Sequence, residues 1–219
     1  MSKTAHIVAI CGSSIGELGF GITNRLATIT RVLEEGVVWI GPRPLLEENL
    51  GFVQPIPYIV IRDGDKVLAY ERGKGGGDAR LHAKVSIGFG GHVDLADAVT
   101  DEAGVIDLRR TMVKACVREL EEELGIDLSA LMPEQRDALC SWTHVISSDA
   151  SPVDEVHIGL VATIDISDLP GIDPAKFEDV IENARWRYAS DLVADQKDGI
   201  VTLESWTSLV LSLPFQVSA

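Results

Sequence analysis

The segment from Asp107 to Ile126 constrains this chain more than any other. Val113, Cys116, Val117, Leu120 and Leu124 form an apolar stripe at helical spacing, Asp107 can cap its start, and Gly125 stops it. The spacing predicts a helix over about 108–124. Roughly 100° around from the stripe stand Glu119, Glu122 and Glu123 at i, i+3 and i+4, so three carboxylates share one face. Such neighbours repel by a few tenths of a kcal/mol per pair. Hard divalent cations relieve that repulsion, because they take oxygen ligands and bridge carboxylates to phosphates. Acidic runs are common on solvated helix faces. Here Arg118 can hold Glu122 at i, i+4, and a Gly90-Gly91-His92 turn upstream can bring backbone carbonyls to the same place.

A helix with one apolar face needs a second layer. His6–Cys11, Val37–Ile40, Tyr58–Arg62, Val67–Tyr70, Val85–Phe89, Trp142–Ile146 and Val156–Ile164 read as strands, with a hairpin turn at Asp63-Gly64-Asp65. Pro55 and Pro57 mark a boundary before the hairpin. Ile22–Glu35 has helical spacing, and a last helix spans Leu203–Leu213. Strands mixed with two or three helices indicate an α/β or α+β domain, and 219 residues suffice for one core. A net charge of −15 argues against binding a nucleic-acid polymer, which needs a basic surface. It allows a phosphate-bearing small molecule if a cation intervenes. No apolar run is long enough to span a membrane and no signal peptide is evident, so a cytoplasmic protein is expected. Cys11, Cys116 and Cys140 sit in apolar stretches and read as reduced, packed thiols. The loop Gly73–Asp78 lacks the Gly-Lys-Ser/Thr ending of a P-loop and is given no phosphate role.

Arg118-Glu119-Leu120-x-Glu122-Glu123-x-Gly125-Ile126 resembles the second half of the Nudix box, G-x5-E-x7-R-E-U-x-E-E-x-G-U with U apolar. At strict spacing the box glycine falls on Gly104 and the first box glutamate on Arg110. A second register places the glycine at Gly91, after the strand Val85–Phe89. Gly91 lies 27 residues before Arg118 where the box has 14, so this register carries an insertion of 13 within Asp94–Asp107. A surface loop absorbs that at small entropic cost. In it Glu102 is the candidate for the first box glutamate. Tyr70-x-Arg72, Arg80-Leu81 and Ser86-Ile87-Gly88-x-Gly90-Gly91-His92 further resemble a bacterial and phage subgroup of phosphoesterases.

The resemblance implies a Nudix-type α/β/α sandwich with a mixed β-sheet over residues 43–219, with residues 1–42 as an N-terminal extension packed on the same domain. It implies hydrolysis of a phosphoanhydride in a nucleoside diphosphate linked to another group, with Mg²⁺ or Mn²⁺ as cofactor. Gly91, Glu119, Glu122 and Glu123 would hold metal and Arg118 would orient the carboxylates. Glu119, Asp154 and Glu155 are candidates for the general base, and Arg72 and Arg80 for gripping the substrate. His92, His144 and His157 read as packed or turn residues. A homodimer is expected from the additional N-terminal elements and the apolar stretch Leu209–Phe215. Two other functions compete: a non-catalytic nucleotide-binding module on the same fold, and a serine hydrolase using Ser14 in Gly12-Ser13-Ser14-Ile15-Gly16.

Overall fold

The computed structural model describes residues 5–73 and 83–213. Among them the strands are β1 (His6–Cys11), β2 (Gly21–Thr23), β3 (Val38–Pro42), β4 (Phe52–Asp63), β5 (Lys66–Arg72), β6 (Val85–Ser86), β7 (Gly88–Phe89), β8 (Trp142–Ser147), β9 (His157–Asp165) and β10 (Ile181–Tyr188). The helices are α1 (Gly12–Ile15), α2 (Leu26–Thr30), α3 (Arg43–Glu47), α4 (Leu108–Leu124), α5 (Pro133–Leu139), α6 (Ala189–Lys197) and α7 (Ser205–Leu211). The sheet runs β10-β5-β4-β9-β8-β2. β1 and β7 both pair with β4, β3 pairs with β1, and β6 pairs with β5. β4 and β9 are parallel from Gln54↔His157 to Arg62↔Asp165, while the other pairs are antiparallel. The sheet is therefore mixed.

Both faces of the central strands are covered, which explains why they read as unbroken apolar runs. Ile59 and Ile61 of β4, with Leu68 and Tyr70 of β5, face α4 through Cys116, Leu120 and Leu124. The alternate residues Tyr58, Val60, Val67 and Ala69 face Leu192 of α6 and Val210 and Leu211 of α7. This is the period of two expected of a strand buried on both sides, and it makes the α/β/α sandwich. The first half of α4 packs elsewhere: Leu108, Met112 and Ala115 meet Val8 and Ile10 of β1 and Ile29, Val32 and Leu33. The N-terminal strand thus shares the helix with the central sheet.

β4 carries both prolines expected to mark a boundary. A Cβ at Gly90 would lie 1.9 Å from the Pro57 carbonyl, so the polar groups of residue 57 point toward Gly90. Pro55 shares that side by the alternation of the strand. There β4 has no ladder partner, because β1 pairs only at residues 52–53 and β7 only at 59–60. The missing N–H groups therefore cost the sheet nothing. The helix expected over Ile22–Glu35 is shorter: Gly21–Thr23 pairs with β8, and helical geometry begins at Leu26 and ends in a π turn over Arg31–Glu35. The β-branched Thr23 favours the extended start, and Gly21 at φ +110° cannot belong to a helix. By contrast α4 has the expected bounds, with Asp107 accepting a hydrogen bond from the Arg110 N–H and Gly125 left-handed at φ +60°.

Candidate active site

The gap along β4 between β1 and β7 is filled by residues Gly90–Asp94, and α4 lies across it. The Val8 N–H donates to the Val93 carbonyl at 2.8 Å, tying β1 to this corner. Gly90 stands at φ +138°, and its closeness to Pro57 leaves no room for a side chain. A Cβ on Gly91 would come within 2.8 Å of Glu119 Oε1, so the helix carboxylate rests directly on the glycine backbone. The Gly90 N–H donates to Glu123 Oε2 at 2.9 Å.

Arg118 organises the corner. Its Nε donates to both oxygens of Asp97 at 3.0 and 3.2 Å, and Nη2 donates to Asp97 Oδ2 and the His92 carbonyl, each at 2.9 Å. Its Nη1 donates to Glu122 Oε2 at 2.8 Å. The same Nη1 is 2.8 Å from Glu119 Oε1, but off the hydrogen-bonding direction. Glu119 Oε1 is thus buried and ion-paired to Arg118 without a well-directed hydrogen bond among the described residues. Glu119 and Glu123 are 3% and 6% exposed, whereas the Glu122 side chain remains 54% exposed.

Burial is the main cause that pushes the Glu119 carboxyl up to about 7, against the pull of Arg118. Burial and then the neighbouring charge of Glu119 push Glu123 up to about 8, against Arg72 and the Gly90 N–H. Arg118 faces Asp97, Glu119 and Glu122 together, so its one charge does not balance the acidic cluster, and a divalent cation would supply the rest. Among the described residues no three His, Cys, Asp or Glu side chains close into a metal cage. Mg²⁺ does not require one, since it takes one or two carboxylates and completes its shell with water and phosphate. The donor set of Glu119, Glu122 and the Gly91 backbone fits that habit.

Asp97 is the residue that sequence reasoning missed. It lies six residues after Gly91, where the box spacing puts its first glutamate, and it is 2% exposed. Asp94 and Asp97 form reciprocal caps of the 3₁₀ turn Leu95–Asp97, so Asp97 is rigidly held while gripping Arg118. Glu102 is not the first box glutamate. It is exposed in a turn where the Asp101 side chain accepts the Ala103 and Val105 N–H groups, and residues Thr100 and Ile106 bridge. The inserted residues thus form their own turn after Asp97. Gly104 lies in that turn at φ +79° and not at the corner.

Other expected residues lie elsewhere. Arg72 donates its Nε to Glu204 Oε1 at 2.7 Å, tying β5 to the start of α7. Asp154 accepts from Ser151 and Ser205. Glu155 is exposed and has no ion-pair or hydrogen-bond partner for its carboxylate among the described residues. Arg80, and the end of the apolar stretch at Phe215, lie outside the described residues. Ser14 donates to the Cys11 carbonyl at 2.6 Å and accepts from the Val37 N–H at 2.9 Å. Its hydroxyl is a backbone pin, and no histidine bonds it among the described residues, which removes the nucleophile reading. All three cysteines are free.

Two histidines are joined beside the corner. His157 Nδ1 lies 2.6 Å from the Val153 carbonyl, which can only accept, so the proton is on Nδ1. Burial lowers the pKa of both histidines and favours neutral rings. His157 Nε2 is then an acceptor, and His92 Nε2–H donates to it at 3.0 Å. The pair holds His92, and with it the carbonyl that Arg118 binds. His144 is apart, against Thr143.

No family model matches the chain. Protein YmaB of Bacillus subtilis (strain 168) is 35% identical over 167 residues, which is 76% of this chain and 73% of that protein. Among solved structures, Tm1382, described as "a putative Nudix hydrolase", superposes with a TM-score of 0.64 at 22% identity, covering 94% of this chain and 96% of its own. That likeness concerns the fold. The chain belongs to the family of Protein YmaB, and its fold is of the Nudix type.

Proposed function

We propose that this protein is a divalent-metal-dependent hydrolase that cleaves the phosphoanhydride of a nucleoside diphosphate linked to another group. The observation that carries this reading is the buried Glu119 carboxylate set against the Gly91 backbone, with the exposed Glu122 beside it on the same helix face. Glu119, Glu122 and the Gly91 carbonyl would hold Mg²⁺ or Mn²⁺. Once bound, the ion would supply charge neutralisation at phosphate oxygens and lower the pKa of a bound water.

The chain's own residues do the rest. Arg118 spends its donors on Asp97, Glu122 and the His92 carbonyl, so it fixes the carboxylates and does not touch substrate. Asp97 keeps Arg118 in that pose. Glu123 holds the Gly90 N–H and so sets the bend of the glycine corner. Glu119, raised toward neutrality by burial, must give up its proton before it can hold the ion. Arg72, bound through Nε to Glu204 and near enough to lower the pKa of Glu123, would grip a phosphate with its remaining guanidinium nitrogens.

A panel of dinucleotides, nucleotide sugars and nucleoside triphosphates, with Mg²⁺ and Mn²⁺, tests the reading by product analysis. Metal-dependent release of phosphate-bearing products is expected, and Glu122→Gln should lose at least about a hundredfold in kcat, as removal of a charge-stabilising group does. An intact panel with both metals, or a Glu122→Gln variant as active as the wild type, would refute it.

A further inference from the structure

The sheet ends in β10, β2 and β3, each with a free edge among the described residues. Free edges invite pairing with another chain, and folded proteins blunt them with shortness, bulges or charge. β2 is only three residues long. β10 has a register break between Glu182 and Arg185, with Asn183 left-handed at φ +53°, and it carries Glu182, Arg185 and Arg187. β3 has none of these devices. It pairs with β1 over five residues without a break, and residues 36–42 contain no charged side chain.

The backbone of β3 shows which of its groups are open. The Arg43 N–H donates to the Ala5 carbonyl at 3.0 Å, and the Val37 carbonyl accepts from the Cys11 N–H at 2.9 Å. Residues 37, 39, 41 and 43 therefore turn their polar groups to β1. By the alternation of an antiparallel ladder, Val38 and Ile40 direct theirs outward. Around this edge Val37, Trp39, Leu45 and Leu50 are between 56% and 67% exposed. Trp39 rests on Phe52 with ring centroids 6.0 Å apart, which joins β3 to residues 50–52. The four side chains leave on the order of 400 Å² of apolar surface in water, the size that marks an interaction site.

We infer that β3 is a dimer interface, on which a second copy of this chain adds its own β3 antiparallel to make one sheet across a two-fold axis. The strand is self-complementary. With Ile40 opposite Ile40 of the second copy, these two residues exchange two hydrogen bonds, and each Val38 N–H reaches the Pro42 carbonyl of the other copy. Pro42 has no N–H to offer and closes the ladder. The charges match as well. Glu35, exposed and without an ion-pair partner among the described residues, precedes β3, and Arg43 follows it. Antiparallel pairing sets the acidic end of each copy against the basic end of the other. The apolar area is about half of the ~800 Å² that each partner buries in a standard interface, and the paired backbone, Pro42 and the flanking turns supply the rest. None of these residues belongs to the glycine corner, so the inference stands apart from the hydrolase reading.

Sedimentation velocity on the full chain from about 1 to 200 µM tests it. The mass should rise with concentration from 23.6 kDa to twice that value. Trp39→Lys, which puts a charge on the edge, should weaken the dimer at least about tenfold. Glu35→Lys should also weaken it, and the double variant Glu35→Lys with Arg43→Glu should recover it. The wild type gives a readout that needs no variant: the Val38 and Ile40 amides should exchange hydrogen at least about tenfold more slowly at the high concentration than at the low one. A monomer throughout the range would overturn the inference, as would a dimer that Trp39→Lys leaves intact, a double variant weaker than Glu35→Lys alone, or a dimer with unaltered exchange at Val38 and Ile40. Amides of Val38 and Ile40 already protected in a monomer would assign the edge to another segment of this chain and overturn it too.

Discussion

Replacing Asp97 with Ala should destabilise the protein far more than any change in the inserted turn that follows it. Asp97 is almost fully buried, accepts from Arg118 Nε and Nη2, and accepts the Asp94 N–H at 2.9 Å. Removing one member of a buried pair leaves the other charge uncompensated, at a cost of about 3–5 kcal/mol. Arg118 is one-fifth exposed and keeps Glu122 and the His92 carbonyl, so the low end, about 3 kcal/mol, is expected. For a chain of this length that lowers the thermal midpoint by roughly 6–12 °C. Asp97→Asn keeps an acceptor oxygen of the same shape and loses only the charge, so about 1.5 kcal/mol is expected. Glu102→Ala, on an exposed turn, should stay within about 0.5 kcal/mol of wild type. Urea titration of the three variants decides the matter. Asp97→Ala and Glu102→Ala with the same midpoint would show that the Arg118 network does not organise this corner.

Further outcomes follow from the same geometry. Gly90→Ala would bring a methyl within 1.9 Å of the Pro57 carbonyl at a φ that disfavours side chains, so a loss above about 3 kcal/mol or failure to fold is expected; a soluble variant with a wild-type midpoint would contradict this. Ser14→Ala removes two backbone-pinning hydrogen bonds and should cost about 1–2 kcal/mol while leaving hydrolysis intact; loss of hydrolysis in a folded variant would revive a role for the hydroxyl. The raised pKa values of Glu119 and Glu123 mean that the folded, metal-free protein retains protons that the unfolded chain releases near its ordinary carboxylate pKa of about 4.5. Their contribution therefore falls as pH rises, up to about 7 for Glu119 and about 8 for Glu123. The buried neutral histidines give the opposite slope below about 6.5, so the fall is read by thermal unfolding in chelator between about pH 6.5 and 8. A midpoint that rises across that window would contradict the assignment.

How much of this could be read from the chain differs sharply by element. α4 was legible to its bounds because its cap, its stripe and its stop all lie within twenty residues and agree. The hairpin of β4 and β5 was legible at its turn but not at its start. Pro55 and Pro57 read as breakers, and only the unpartnered side of β4 makes them acceptable in a strand. β10 and α6 had no strong local signal. Ile181–Tyr188 is largely exposed, with a register shift between Glu182 and Arg185, so its pattern does not alternate cleanly.

At the site, Arg118, Glu119, Glu122 and Gly91 were brought together as their spacing implied. Asp97 was within reach of the same spacing, since it sits six residues after Gly91. An aspartate in place of a glutamate, followed by an insertion that carries its own acidic residues, drew the assignment to Glu102. The histidine pair was not legible, because the 65 residues separating its members are bridged only by the folded sheet.

The most direct test of the account is a Mn²⁺ titration of the metal-free protein by calorimetry, beside Glu119→Gln under the same conditions. The account predicts saturable binding to the wild type, stronger at pH 8 than at pH 6 because Glu119 must give up its proton, and at least a tenfold loss in the variant. Identical isotherms for the two proteins would contradict it.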